Sequence, residues 1–246
     1  RQLAGRLRAA ATVVGVAENP DAAEALRVAI KNRQEAAGLS HAELHVRFGN
    51  PAEQIAGEQA ESLYEMLVLT PRPRSKAPRL PVRDSKAKTR KLGETLAAVL
   101  EHADIPVLVA KGERASLDRM LICTAAGEPG KSDVIIGGRL ARRLGAAVTL
   151  FYVTRGSEEM NAVTRSHLER AAATLRSLDV NSEVRIQPAA TPADGILTEA
   201  KTGDYDLIVI GSHGPRLRRR FGLNDVTLEV LDGADRPVLV VPTDKV

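Results

Sequence analysis

YDLIVIGSHGPRLRRRFGLNDVTLEVLDGADRPVLVV, residues 205–241, decides the architecture. Residues 207–210 and 238–241 are continuous apolar runs rich in β-branched side chains, without alternation. Strands of that composition are covered on both faces, as in a parallel sheet flanked by helices. Between them lie the loop Gly211-Ser212-His213-Gly214, a basic run and a short helix. Gly211 and Gly214 remove side chains where the chain leaves the carboxyl end of a strand, the place where open α/β sheets take their ligands. A Gly-x-x-Gly loop also serves as a tight strand exit, so by itself it marks only a candidate anion or nucleotide site.

Working outward, the same order of elements occurs twice. Residues 1–18 (RQLAGRLRAAATVVGVAE) are repeated by 138–155 (GRLARRLGAAVTLFYVTR), each the end of a helix followed by a strand. Residues 19–38 are repeated by 157–178, both helical. In the second copy Met160, Val163, Leu168, Ala171, Leu175 and Leu178 form one stripe at three-to-four spacing, and Ser157 with Glu158 and Glu159 supplies an N-cap and an acidic first turn. HAELHVRFGNPAEQIAGEQA (41–60) is repeated by NSEVRIQPAATPADGILTEA (181–200). Asn50-Pro51-Ala52-Glu53 and Thr191-Pro192-Ala193-Asp194 each place a capping side chain before a proline at the first helical position and an acid at the third. YEMLVLT (64–70) is repeated by YDLIVIG (205–211), and LGETLAAVLEHADIPVLVA (92–110) by LNDVTLEVLDGADRPVLVV (223–241).

Helices alternate with strands, so the chain is expected to be an α/β protein of two tandem doubly wound parallel-sheet domains, 1–111 and 118–246, joined by a short linker. The second copy opens with a strand, residues 120–124, and the loop AAGEPGKS, whereas the first begins inside the matching helix and lacks its opening strand. The missing initiator Met gives the expectation that Arg1 is not the natural start, and whether the natural chain extends upstream of it stays open. After its fourth strand the first copy carries Thr70-Pro71-Arg72-Pro73 in place of the glycine loop, and the stretch from Pro71 to Lys91 holds four prolines, nine basic residues and one acid. Proline supplies no N–H, so this loop cannot cradle phosphate, and its charge reads as a solvated tether.

Gly211-x-x-Gly214, the nine residues Pro215 to Leu223 and then Asn224-Asp225 resemble the closing motif of the universal stress protein family. Its nucleotide-binding members carry Gly-x-x-Gly, nine residues, then Gly-Ser or Gly-Thr. The spacing is kept and the final pair is altered. The resemblance covers nearly the whole chain and implies a stress-associated regulatory protein that is not an enzyme, with the adenine-nucleotide α-hydrolase-like fold. It further implies that the final strands, Val107–Val109 and residues 238–240, lie side by side in a pseudo-twofold, the chain being its own first partner and a homodimer a further option. It implies an adenine nucleotide, ATP or AMP, in the second copy only. Thr124, Ala125, Ala126, Gly127, Gly130 and Lys131 would lie on one side, Val153 at the adenine pocket, and Gly211, His213, Gly214, Asn224, Asp225 and Val226 at the phosphates. Ala125 and Ala126 stand where such members usually carry a base-contacting Asp, and Asp225 sets a carboxylate where a hydroxyl would meet phosphate, so binding is expected to be weak. One of Arg216, Arg218, Arg219 or Arg220 is placed to offset that charge. Whether magnesium accompanies the nucleotide stays open.

Read without the resemblance, Ala125 to Ser132 satisfies the permissive form of a phosphate-binding loop, after a strand and before a helix, with Lys131 adding charge. A phosphate-loop ATPase is therefore one alternative, although Pro129 removes a donor and the strand ending at Gly211 offers no carboxylate for magnesium. The soluble regulatory tail of a larger, transporter-like protein and a ligand-free dimerisation module are the others. No Ser/His/Asp set, paired carboxylates or metal spacing among the five histidines argues for catalysis or a metal site.

Bulk composition narrows the classes. Apolar residues make up 43% and charged residues 27%, as in ordinary globular proteins, and 246 residues suffice for two cores. The net charge of +4 with no Trp, three Tyr and three Phe leaves few stacking platforms for nucleic acid. The single Cys123, within an apolar strand pattern, excludes a disulfide framework and points to a reducing, cytoplasmic setting. No apolar run approaches the roughly 18 residues that span a membrane.

Overall fold

The computed structural model describes residues 2–71, 93–112, 116–125, 132–155, 162–212 and 225–242. The basic proline-rich loop after Pro71, the Ser157 cap with Met160, and the arginine run 216–220 lie outside them. The chain forms two compact units, Arg1–Tyr64 and Glu65–Val246.

The first unit contains α1 (Gln2–Leu7), β1 (Thr12–Ala17), α2 (Pro20–Ala36), β2 (Glu43–Phe48) and α3 (Pro51–Glu61). β1 and β2 pair in parallel from Thr12↔Glu43 to Ala17↔Phe48. Both long helices begin as the sequence requires. Asn19 caps Pro20 by accepting from the Ala22 N–H at 3.0 Å, and the Asn50 side chain accepts from Ala52 and Glu53 at 2.9 and 3.3 Å.

The second unit contains β3 (Leu67–Leu69), α4 (Glu94–His102), β4 (Val107–Val109), β5 (Arg119–Cys123), α5 (Ser132–Leu144), β6 (Ala147–Arg155), α6 (Ala162–Ser177), β7 (Ser182–Ala189), α7 (Pro192–Thr202), β8 (Leu207–Ser212), α8 (Asp225–Gly233) and β9 (Val238–Pro242). Its seven strands run β3-β4-β9-β8-β5-β6-β7. Every neighbouring pair is parallel except β4 and β9, which are antiparallel. The unalternating runs of β5, β8 and β9 are buried on both faces: Met120, Leu121, Ile122, Ile208, Val209, Val238, Leu239 and Val241 expose nothing.

The expected pairing of the two final strands is present. Val107 faces Val240, Leu108 faces Leu239 and Val109 faces Val238. Two Val-Leu-Val strands related by the internal repeat thus pair about a local twofold through Leu108 and Leu239. The expectation of one sheet per copy is corrected: β1 and β2 form a sheet of their own, while β3 and β4 belong to the seven-stranded one. In the second copy β5 bonds both β6 and β8, joining the two halves of that copy's sheet. The first copy has no counterpart of β5 among these residues, and without that strand its two strand pairs share no hydrogen bonds.

The linker is anchored to the second copy. Lys111 Nζ donates to the Leu231 and Asp232 carbonyls at the C-terminus of α8, where a cation also meets the negative end of the helix dipole. The next residue, Gly112, has φ +69°, and a Cβ there would lie 2.1 Å from the Asp235 carbonyl oxygen. Gly112→Ala is therefore expected to cost about 2–3 kcal/mol, against about 1 kcal/mol for Gly145→Ala. Gly145 shares the left-handed φ, +64°, but meets no atom within 4 Å. Urea midpoints of the two variants provide the comparison.

Candidate functional site

The carboxyl ends of the parallel strands β9, β8, β5, β6 and β7 lie at one end of the sheet, and the chain order reverses at β5. From β5 the chain proceeds through β6 to β7 on one side, while β8 and β9 occupy the other. Open α/β sheets form their ligand crevice at such a reversal, because the loops leaving the two flanking strands diverge to opposite faces. At this point β5 and β8 pair from Met120↔Leu207 to Cys123↔Ile210. Thr124 and Ala125 follow β5, and the Thr124 N–H donates to the Phe151 carbonyl of β6 at 3.0 Å. Ala125 is exposed and Thr124 half-buried.

Gly211 sits near the end of β8 and Ser212 terminates it. Ser212 Oγ donates to the Val241 carbonyl at 3.3 Å, fixing the end of β8 to β9. The α8 helix begins at Asp225, and in its first turn the fully buried Thr227 donates through Oγ1 to the Gly211 carbonyl at 3.4 Å. The N-terminus of α8 is thereby tied to the end of β8, and Val226 packs against the core beside it. Val153, on β6 next to β5, is partly buried and covered by α7. A Cβ on Gly195 would lie 2.8 Å from Val153 Cγ2, so a glycine at 195 is what lets α7 approach that strand.

Of the sequence-derived site residues, Thr124, Ala125, Gly211, Asp225 and Val226 are thus gathered at the strand reversal, with Val153 one strand away. Ala126, Gly127, Gly130, Lys131, His213, Gly214 and Asn224 lie outside the described residues.

Two nearby polar groups bear on the chemistry. Cys123 closes β5 and is buried; burial pushes its thiol pKa far up, and the charges of Asp133 and Glu199 push the same way, which disfavours the thiolate. Asp133, buried at the start of α5, accepts from the Val134 N–H at 2.9 Å and brings a carboxyl to the first turn of that helix. Among the described residues no group of three or more His, Cys, Asp or Glu side chains is arranged to hold a metal ion, and no helix is long and apolar enough to cross a membrane.

A second feature was not read from the sequence: a buried carboxylate node that occurs once per copy. Glu199 of α7, 1% exposed, accepts from Arg185 Nη1 at 2.6 Å, Gln187 Nε2 at 2.8 Å and the Tyr205 hydroxyl at 3.0 Å. It therefore ties α7 to alternate residues of β7 and to the entry of β8. Arg119 donates to the Gly203 carbonyl at 3.0 Å and lies 5.6 Å from the Tyr205 ring centre. In the first unit Glu58 of α3 accepts from His45 Nδ1 at 2.7 Å, Arg47 Nε at 2.6 Å and the Tyr64 hydroxyl at 2.7 Å. The signal available was a Glu six residues before a Tyr, both after the proline-led helix start, in both repeats. Burial opposes ionisation of Glu58, but the hydrogen bonds from Tyr64, His45 and Arg47 prevail and hold its carboxyl at about 2.

The family model for the universal stress protein family matches residues 4–111 and 117–242. No curated protein matches the sequence. Among solved structures, a universal stress protein from Archaeoglobus fulgidus DSM 4304 is 17% identical, with 97% of this chain and 90% of that chain covered and a TM-score of 0.69. A functionally unknown protein from Pseudomonas aeruginosa PAO1 is 18% identical over 99% of this chain and 86% of its own, with a TM-score of 0.64. At these identities the likeness is one of fold. A universal stress protein from Archaeoglobus fulgidus solved in complex with dAMP matches 52% of this chain and 99% of its own at 18% identity, with a TM-score of 0.41.

Proposed function

We infer that this chain, which belongs to the universal stress protein family, is a stress-associated regulatory protein that binds an adenine nucleotide in its second copy without turning it over. The observation that carries this reading is the reversal of strand order at β5 and β8 with the N-terminus of α8 tied to the end of β8. A crevice between diverging loops, small residues at the strand ends and a helix N-terminus together suit a ligand with an apolar base and a negative phosphate. Among its described residues the first copy shows no strand at which the order reverses. The antiparallel β4–β9 pairing serves as a dimer contact made within one chain. The single buried thiol suits a cytoplasmic setting.

Isothermal titration with AMP and ATP, with and without magnesium, tests the reading. Gly214→Val is expected to weaken binding by about tenfold or more by blocking approach of phosphate to the backbone, and Asp225→Ser to strengthen it by about threefold or more by removing a like charge and restoring a hydroxyl. Absence of heat with either nucleotide, or unchanged affinity in Gly214→Val, overturns it. Steady ATP hydrolysis lost in Lys131→Ala would transfer the site to the phosphate-loop alternative.

A further inference from the structure

The two carboxylate nodes hold equivalent positions in the internal repeat and share the tyrosine donor, but differ in the two strand donors: Gln187 of β7 stands where β2 has Arg47, and the other pair carries the difference that matters here. Where β7 presents Arg185 to Glu199, β2 presents His45 to Glu58. Both ring nitrogens of His45 face carboxylates, Nδ1 on Glu58 at 2.7 Å and Nε2 on Glu43 at 3.2 Å. The imidazolium can serve both contacts at once, whereas a neutral imidazole donates through one nitrogen only and brings no charge to Glu58. The remaining charged and titratable groups around it are Arg47, which bonds Glu58 and Glu61, and the neutral Tyr64 hydroxyl, which donates to Glu58. β1 alongside contributes TVVGVA, with no titratable side chain. On α2, Asp21, Glu24, Arg27, Lys31, Arg33 and Glu35 make no ion pair with His45 among the described residues.

We propose that the Glu58 node is a pH-sensitive latch, in which protonated His45 clamps α3 to β2 and loss of its proton loosens α3 in the first unit, while the Glu199 node keeps its grip on α7. The hydrogen bond to Glu58, and next the one to Glu43, raise the His45 pKa above its ordinary 6.5, with burial opposing. A raised folded-state pKa means that the stabilisation is complete below 6.5 and is lost as pH rises through the folded value. Glu58, depressed to about 2, works in the other direction: its contribution is complete above 4.5 and is lost as pH falls toward 2. The latch is therefore tightest between pH 4.5 and 6.5. Arg185 stays charged throughout, since its hydrogen bonds to Glu183 and Glu199 push its pKa up from an already high value.

Amide hydrogen exchange of the full chain, corrected for intrinsic rates, tests this at about pH 6 and about pH 8.5. Opening of α3 is expected to rise about two- to fivefold at the higher pH, the range of a partly exposed ion pair, with α7 unchanged. His45→Arg, which places at this position a donor that stays charged, as Arg185 does in the second node, should abolish the rise. His45→Gln should open α3 at pH 6 to the level that the wild type reaches at high pH. A His45 imidazole titrating at or below 6.5 by NMR overturns the proposal. So does equal loosening of α3 and α7, or a rise that persists in His45→Arg.

Discussion

Val109→Asp is expected to remove most of the stability of the second unit. Val109 exposes nothing, lies in the core cluster, and pairs with Leu69 of β3 on one side and Val238 of β9 on the other. A carboxylate placed there has no partner, and burying one costs several kcal/mol even when its pKa rises so that it takes up a proton. Against a total stability of about 5–15 kcal/mol for a domain, a loss of about 5 kcal/mol or more leaves the sheet marginal. Val240→Asp should be equally severe, because the local twofold pairs Val240 with Val107 as it pairs Val109 with Val238. Val68→Asp is the control. Val68 lies one strand away on β3 but is 55% exposed, so the same chemistry should change stability by no more than about 0.5 kcal/mol. Urea unfolding followed by far-UV circular dichroism measures all three. A Val109→Asp midpoint within error of wild type would mean that β4 and β9 do not pair in solution.

Glu199→Ala is the second large effect. The substitution removes the acceptor shared by Arg185, Gln187 and Tyr205. Tyr205 is 2% exposed, so its hydroxyl has little access to replacement water. Arg185 has 36% of its side chain exposed and still reaches Glu183 at 2.9 Å, so its share of the loss is smaller than that of a fully buried ion pair. The expected cost is about 3 kcal/mol, seen as a lower urea midpoint at unchanged slope. Glu199→Gln keeps an acceptor oxygen and should lose about half as much. A cost below about 1 kcal/mol for Glu199→Ala would assign the junction of α7, β7 and β8 to apolar packing alone.

Most of the local structure was legible in the sequence. The Asn50-Pro51 and Thr191-Pro192 starts are capped as read, with Thr191 Oγ1 accepting from the Asp194 N–H at 3.1 Å. The apolar runs at β5, β8 and β9 became buried strands within a residue or two of their expected limits. These signals are local: a cap needs a side chain and an N–H two or three residues apart, and an unalternating run reports that both faces of its strand are covered. Thr124 and Gly211 could be placed at strand ends, and Val226 at the start of the last helix, for the same reason.

The Glu199 node escaped this reading because an acid in a helix ordinarily marks a solvated face. Whether it is buried depends on Arg185, Gln187 and Tyr205, which other elements bring to it. For His45 likewise, nothing within four residues of it in the sequence shows that Glu58 faces it.

Residue patterns alone carry the order of the elements and their duplication, and the likeness to the family added the expectation that the final strands lie side by side. Which strands share a sheet rests on contacts between residues far apart in the chain. Periodicity states how a strand is covered but not which strand bonds its edge, and in the second copy one strand, β5, makes that bond on both sides. With no counterpart to β5 among these residues, the first copy has β1 and β2 in one sheet, while β3 and β4 join the second copy through Leu108 and Leu239.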